Sequence, residues 1–405
     1  MSLRKFFKKV VGVILLILTI SCRNDSITKE ILPSVDPKQV NYECLNIIYF
    51  VPKGSKPVDG YSERLNDILQ DGQKFYAKWM KHWGYGDRTF NLDKDINNKV
   101  KIILIEGEET KDFYVYDISG KRGVDKKIKK EVSDYFNTHP NEKKGNHNLV
   151  ILPARIEPSV IDHHGGVPFY GSSKWSFTMD FPGLNIENLG KTGVRGKLAS
   201  YCIGGLLHEL GHGIDLYHNA GRSDERKPYG YGLMGLGSSF YGSRIPTYLT
   251  SADAAILSVN PVMNSQKRSD WEVNSNFNLP KISISIKDSA IVLSGQFLTG
   301  KEVKTIAVNF HPLQNDQDIQ GYKSLGIGEK YENTNHNGKF SIIMPMQGFY
   351  GGQWADGERY RITIRFCHEN GYIYSKAFDS NLSRNTTKTI VFPTRKNVME
   401  DAIYE

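Results

Sequence analysis

The chain has 405 residues, of which 39% are hydrophobic and 24% charged, with a formal net charge of +8. This composition is typical of globular proteins, and the length allows two or three domains of ordinary size. The basic excess is mild and forms no arginine-rich stripe, so nucleic-acid binding is not expected.

The N-terminus has the pattern of an export signal. Four basic residues, Arg4, Lys5, Lys8 and Lys9, precede an apolar run over residues 10–20, which is too short to span a bilayer. A basic segment, a short apolar core and a small residue before the cleavage point are the parts of a secretory signal, here residues 1–21. Its removal leaves a net charge of about +4.

Cys22 is the predicted site of lipid attachment. Thr19-Ile20-Ser21-Cys22 resembles a bacterial lipobox, although leucine is usual where Thr19 stands, and a polar stretch follows. We expect residues 22–40 to tether the protein to a membrane through the lipid on Cys22. The expected location is the bacterial outer membrane, on its surface or its periplasmic face. The alternative is an ordinary signal peptide and a secreted protein.

Three further cysteines are Cys44, Cys202 and Cys367. They are scattered and odd in number, so a disulfide scaffold is excluded and at most one bridge is possible.

Apolar patterning predicts alternating strands and helices between residues 41 and 262. The predicted strands are residues 45–51, 99–106, 149–152 and 175–180. The predicted helices are residues 62–83, with Ser62 as N-cap, residues 125–137, and a long helix from about Val194. This alternation favours a mixed, mostly parallel sheet with crossover helices, an α/β or α+β class.

The most specific motif lies on the last of these helices. His208-Glu209-Leu210-Gly211-His212 is HExxH, and His218 follows six residues after His212. Positions i and i+4 share a helix face, so His208 and His212 can bind one metal ion, with Glu209 as general base. His218 can join them only if the helix ends near residues 213–215 and the chain turns back. The motif predicts one catalytic Zn²⁺ held by three histidines.

The pattern changes beyond residue 280. Short strands of alternating apolar and polar residues, separated by turn residues, predict an all-β, immunoglobulin-like sandwich over residues 280–405. The polar residues 263–279 are the predicted linker.

The motif resembles the signature of the metzincin zinc endopeptidases, HExxHxxGxxH followed by a turn that contains methionine. His208, Glu209, His212 and His218 match its spacing, and Met234 in Tyr231-Gly232-Leu233-Met234-Gly235 matches the Met-turn. The resemblance implies that residues 41–262 form a metzincin-like zinc peptidase domain. It also implies that Met234 lies beneath the histidines without binding the metal.

Two positions depart from that family. Asp215 stands where the signature has glycine, and aspartate tolerates the left-handed backbone better than most residues. Asp215 could instead accept a hydrogen bond from a histidine. Some members place a tyrosine ligand two residues after the methionine, but here that residue is Leu236, so three histidines and a water are expected.

The lipoprotein-like start, the metzincin-like domain and the sandwich together resemble the zinc-dependent metalloproteinase lipoproteins of Bacteroidetes. The resemblance implies hydrolysis of peptide bonds in a protein or peptide substrate. By analogy, an extended substrate would pair with an edge strand formed by Trp175, Ser176, Phe177 and Thr178. The residues His163 and His164 could be further ligands, although solvated loop histidines are the simpler interpretation.

Several alternatives stay open at this point. Asp253 could replace His218 as third ligand, as acidic residues do in other HExxH enzymes. Tyr229, Tyr231 and Tyr241 could donate to an oxyanion or simply pack. The protein could be a weak or inactive adhesion lipoprotein, or a zinc amidase acting on cell-wall peptides. Oligomeric state is not indicated.

Overall fold

The computed structural model describes residues 42–116, 123–159, 165–313, 324–331, 337–349, 357–384 and 386–392. All of them belong to one compact unit, Gln39–Glu405. The predicted export signal, Cys22 and the tether lie outside the described residues, as do His163 and His164. Among the described helices, none has both the length and the apolarity that a membrane span requires.

The first part of the chain builds a five-stranded sheet with its helices. In chain order the elements are β1 (Asn46–Lys53), α1 (Tyr61–His82), β2 (Ile103–Thr110), α2 (Val124–Thr138), β3 (Asn148–Pro153), β4 (Tyr170–Ser172), β5 (Trp175–Asp180) and α3 (Gly193–Gly213). The strand order is β2-β1-β3-β5-β4. Four strands are parallel, and β4 runs antiparallel to β5. This is the mixed, mostly parallel sheet that the alternation of elements predicts.

Helix α1 packs closely against α3. The hydroxyl of Tyr76 donates to the carbonyl of Leu207 at 2.9 Å, and a Cβ on Gly72 would lie 2.6 Å from the Leu207 side chain. The glycine therefore lets the two helices approach closely. This packing fixes α3 from its buried side.

Shorter elements follow α3 and connect it to the rest of the chain. They are α4 (Ser223–Tyr229), the paired strands β6 (Tyr231–Gly232) and β7 (Thr247–Tyr248), and α5 (Ser251–Leu257). Helix α5 has a capping box, in which Thr250 and Asp253 each accept a backbone N–H of the other. This explains why the helix begins where it does.

The last part of the chain forms two four-stranded antiparallel sheets. The strands are β8 (Asn278–Lys287), β9 (Ala290–Leu298), β10 (Val303–Pro312), β11 (Leu325–Lys330), β12 (Asn337–Pro345), β13 (Glu358–His368), β14 (Ile373–Leu382) and β15 (Thr387–Val391). Their orders are β11-β10-β13-β14 and β12-β9-β8-β15. Side chains from both sheets share a second apolar core. The chain therefore has a mixed α/β part followed by an all-β sandwich.

The sandwich packs directly against the first part. The hydroxyl of Thr305 on β10 donates to the carbonyl of Ala255 on α5 at 2.8 Å, and Cys367 on β13 belongs to the apolar core of the first part. The polar segment before β8 also makes contacts, since Glu272 pairs with Lys174. Residues 264–277 contain no helix or strand, yet Arg88 donates to the Asn264 side chain at 2.9 Å and Gly300 N–H donates to the Ser275 carbonyl at 2.6 Å.

Some predicted details were wrong. Helix α1 begins at Tyr61, and the N-cap is Gly60 with a φ of 67°, not Ser62. Strand β2 begins at Ile103, four residues later than the apolar pattern suggested. In the sandwich, the alternating apolar residues of the sequence predict strands at β8, β10, β12, β13 and β15 but not at β9, β11 and β14. Of these, β11 and β14 are the two edge strands of their sheet, and edge strands carry fewer of the buried alternating residues on which the prediction relied.

Candidate metal centre

Helix α3 presents His208 and His212 on one face. Its apolar residues pack against the sheet and α1, while the two imidazoles lie one turn apart with their Nε2 atoms separated by 3.1 Å. This is the arrangement that the i, i+4 spacing predicts.

The chain doubles back directly after α3. Leu216 N–H donates to the Gly211 carbonyl at 2.9 Å, and Asp215 N–H donates to the His212 carbonyl at 3.3 Å. These bonds form a Schellman motif, in which glycine usually takes the left-handed position. Here Asp215 takes it, with a φ of 76°. Its carboxylate accepts a hydrogen bond from Asn260 at 2.9 Å, which gives the aspartate a structural partner in this turn.

The turn brings His218 to the other two histidines. Its Nε2 lies 3.1 Å from Nε2 of His212, and its ring centroid lies 5.2 Å from that of His208. One ring nitrogen from each of the three residues lies within 4.8 Å of the others. The three residues that the motif predicts as ligands therefore meet at one point.

The hydrogen bonds of the imidazoles fit a metal ion at this point. Nδ1 of His208 lies 2.8 Å from the Leu233 carbonyl, and Nδ1 of His212 lies 2.8 Å from the Leu216 carbonyl. A carbonyl only accepts, so both Nδ1 atoms carry the proton and each Nε2 of a neutral ring has a bare lone pair. Burial lowers the pKa of both histidines, which favours the neutral form.

Two lone pairs 3.1 Å apart repel each other unless a cation lies between them. Tetrahedral zinc with nitrogen ligands at about 2.0–2.1 Å places those nitrogens about 3.3 Å apart. The three nitrogens, their spacing and the backbone acceptors thus fit one zinc ion. The second hydrogen bond of His208 and of His212 sets the orientation of those two rings.

Glu209 follows His208 on α3 and lies against strand β4, since a Cβ on Gly171 would be 2.0 Å from the Glu209 carbonyl oxygen. Burial raises the Glu209 carboxyl pKa to about 8, although the Gly171 N–H acts to lower it. A cation at the three histidines would favour the ionised form again. The backbone carbonyl of Glu209 accepts from the Ser176 hydroxyl at 2.8 Å. A carboxyl with a raised pKa, next in sequence to one of the three histidines, is suited to accept and return a proton.

Met234 lies beneath the helix that carries the histidines. It is fully buried, and its sulfur would lie 2.5 Å from a Cβ on Gly211. The turn around it is fixed by a bond from Gly235 N–H to the Gly232 carbonyl, and the Met234 carbonyl accepts from Asn219 N–H at 2.8 Å. The same turn supplies the Leu233 carbonyl that orients His208. Its contacts are those of a packing residue.

The sheet edge next to the centre is not the one predicted. Strand β5, with Trp175, Ser176, Phe177 and Thr178, pairs with β3 on one side and β4 on the other. The edge is β4, joined to β5 by a two-residue turn in which Ser173 and Lys174 have φ values of 46° and 71°. The three residues of β4, Tyr170-Gly171-Ser172, have neither the length nor the apolar alternation that predicts a strand. Neither this edge nor Gly171 could therefore be predicted from the sequence.

The other candidates from the sequence have structural partners away from the histidines. Asp253 accepts the Thr250 N–H in the capping box of α5, so the alternative with Asp253 as ligand is wrong. The Tyr241 hydroxyl donates to Asp71 at 2.6 Å. The Tyr229 ring packs against Trp79, and Arg226 lies over the Tyr231 ring.

A second group of potential ligands lies behind the Asp215 turn. It consists of His147, Asp215 and Glu272, with ligand atoms within 4.8 Å of one another. Burial lowers the pKa of His147 to about 3, so its ring is neutral. Lys174 already pairs with Glu272, and the positive charge of Arg365 acts on Asp215. Because these cations balance both carboxylates, we assign no metal here.

Three crystal structures of the OgpA protein of Akkermansia muciniphila are similar to this chain. Wild-type OgpA is 30% identical with a TM-score of 0.78, and the match covers 86% of this chain and 96% of that chain. A second crystal form is 30% identical with a TM-score of 0.77, covering 86% and 95%.

The third structure is catalytically inactive OgpA in complex with an O-glycopeptide substrate, glycodrosocin. It is 29% identical with a TM-score of 0.77, and the match covers 86% of this chain and 95% of that chain. Neither protein-family models nor curated proteins gave a match. The likeness to OgpA spans both the mixed α/β part and the sandwich.

Proposed function

Because this chain belongs to the OgpA family and is a peptidase, we propose that it is a zinc-dependent endopeptidase that cleaves O-glycosylated peptides. His208, His212 and His218 hold the zinc ion, and Glu209 is the general base. The observation that carries the proposal is the convergence of three imidazole nitrogens beside a buried carboxyl.

The chemistry follows from the donor set and the base beside it. A zinc ion held by the three histidines would supply a water with its pKa lowered to about 7 and would polarise the carbonyl under attack. Glu209 accepts the proton of the attacking water and passes it to the departing amine. The Gly171 N–H favours the ionised form of the Glu209 carboxyl, which is the form that accepts the proton.

The free edge of β4 is the proposed binding surface for the peptide backbone. In the two-residue hairpin, Ser172 and Trp175 form the closing pair, so the backbone groups of Gly171 point away from β5. A Cβ on Gly171 would meet the Glu209 carbonyl and Cβ of His212, which places this strand next to the metal-binding helix. An extended substrate that pairs with β4 would therefore bring a peptide bond to the base.

The O-glycopeptide bound by OgpA suggests the substrate class, since the two chains are similar over nearly their whole length. We also propose that the α/β part is a metzincin-like domain with Met234 in its Met-turn, supported by the spacing of the motif and the packing of Met234.

The proposed location rests on the N-terminal sequence. We propose export and lipid attachment at Cys22, which would hold the peptidase on the outer membrane within reach of extracellular or periplasmic peptides. The mass of the mature N-terminal peptide would test this, since a diacylated or triacylated Cys22 differs from a free N-terminus by hundreds of daltons. An unmodified Cys22 would contradict it.

The substrate is tested with matched peptides. The zinc-loaded protein is incubated with an O-glycosylated peptide and with the same peptide lacking the sugar, and products are identified by mass spectrometry. We expect cleavage of the glycopeptide beside the modified residue and at least tenfold slower cleavage of the bare peptide. Equal cleavage of both would contradict glycan recognition while leaving endopeptidase activity intact. Cleavage of neither peptide would contradict the proposed function.

A further inference from the structure

We propose that the β-sandwich is part of the metal centre: Arg365 on strand β13 fixes the turn that delivers His218 to the other two ligands. This inference rests on the proposed zinc site. It assigns Arg365 as a positioning residue that acts through the turn, without touching the metal or substrate.

Arg365 contacts two residues of the turn at once. Its Nη1 donates to the backbone carbonyl of Asp215 at 2.7 Å, and its guanidinium lies 3.2 Å from the centroid of the Tyr217 ring. Asp215 makes the left-handed bend and Tyr217 immediately precedes His218. Arg365 is only 3% exposed, and a buried guanidinium held by a carbonyl and a ring has little freedom to move.

The position of Arg365 on β13 explains how a sandwich residue reaches this turn. Ile364 and Phe366 point into the sandwich core, so Arg365 points to the opposite face of the sheet. On that face Cys367 joins the apolar core of the first part. Arg361 lies four residues earlier on the same face, but it is exposed and pairs with Asp379. On this face of β13, Arg365 and Cys367 thus lie against the α/β part of the chain, whereas Arg361 is exposed.

A second sandwich contact holds the other end of the loop. The Ala220 N–H, two residues after His218, donates to the Ser324 carbonyl beside β11 at 2.8 Å. The loop from Asp215 to Ala220 is thus fixed from the sandwich before and after His218. Since His218 is the ligand outside helix α3, it depends most on contacts that hold its loop.

A purely structural role would give Arg365 a different signature. An arginine that only joined the two parts of the chain would affect the midpoint of thermal unfolding equally with and without zinc. A residue that positions His218 affects zinc affinity, because a displaced ligand is lost from the metal-bound state. Zinc affinity is therefore the readout that separates the two roles.

The experiment uses the full chain and measures the zinc dissociation constant by competition with a chromophoric chelator. We expect Arg365→Met to weaken zinc binding about tenfold to a hundredfold, the range found for groups that orient metal ligands. Arg361→Met, on the same strand face, should bind zinc as the wild type does. Arg365→Lys should recover part of the affinity, because an ammonium can donate to the Asp215 carbonyl but does not stack as a plane.

Tyr217→Leu provides a second route if Arg365→Met does not fold. It removes the stacking partner without altering the sandwich, and 48% of Tyr217 is exposed, so the fold should tolerate it. We expect weaker zinc binding, with no further loss when Arg365→Lys is added. Zinc binding within twofold of wild type in both Arg365→Met and Tyr217→Leu would overturn the inference. A wild type that binds no zinc would instead overturn the proposed function on which it rests.

Discussion

Replacing Gly171 by alanine is expected to remove most of the activity while leaving zinc bound. A Cβ at this position would lie 2.0 Å from the carbonyl oxygen of Glu209 and 2.7 Å from Cβ of His212. Gly171 thus lies directly against the metal-binding helix, and its N–H favours the ionised form of the Glu209 carboxyl. An added methyl group must therefore push the strand away from the base.

The size of the effect follows from that overlap. Real Cβ atoms essentially never lie closer than 3.0 Å to such neighbours, so the strand and helix must separate by about 1 Å. A misplacement of about 1 Å in a catalytic arrangement lowers rates by about a hundredfold, equivalent to about 2.7 kcal/mol of transition-state stabilisation. The added methyl group also meets Cβ of His212, but the rings of His208 and His212 stay hydrogen-bonded to the carbonyls of Leu233 and Leu216, which lie outside β4. We therefore expect the metal to remain bound.

The assay is kcat/KM on an O-glycopeptide, with zinc content measured on the same preparation. Gly348→Ala is the matched control, since its Cβ would first meet flexible side chains at 3.3 Å, and we expect activity within twofold of wild type. Activity of Gly171→Ala within threefold of wild type would refute the reasoning. Loss of zinc from Gly171→Ala would contradict the expectation that the substitution displaces Glu209 and leaves the histidine ligands in place.

Two further predictions concern the scaffold. Arg64→Met leaves the fully buried Asp180 carboxylate without the guanidinium that contacts both of its oxygens, so its free energy of unfolding in urea should fall by about 3–5 kcal/mol. Lys81→Met is the control, since it breaks an exposed ion pair and should change that free energy by less than about 1 kcal/mol. Equal losses in the two variants would contradict this prediction. The free energy of unfolding of Asp215→Val should be about 1–3 kcal/mol lower than that of Asp215→Gly, because the φ of 76° suits glycine and strains a β-branched residue. Equal free energies would contradict the prediction and show that the turn relaxes.

The histidine cluster could be predicted because local rules determine it. Helical periodicity places His208 and His212 together, and a residue that tolerates a left-handed backbone ends the helix early enough for His218 to return. The mostly parallel sheet could be predicted because its buried strands are continuous apolar runs. These features depend on residues close together in the sequence.

The edge strand and the role of the sandwich could not be predicted in this way. Strand β4 has three residues and is defined by its turn and its contact with Glu209, not by apolar alternation. Arg365 follows His218 by 147 positions, and its contact with Asp215 depends on how one face of β13 packs. Such contacts come from tertiary packing, which residue patterns do not encode locally.

The central claim is that Glu209 acts as the base beside a zinc ion held by three histidines. Its most direct test is zinc content and peptide cleavage, measured together on the wild type and on Glu209→Gln. The proposed function predicts one zinc per chain in both proteins and cleavage lowered by about 10²–10⁴-fold in the variant. A wild type without zinc, or a Glu209→Gln variant that cleaves as fast as the wild type, would contradict it.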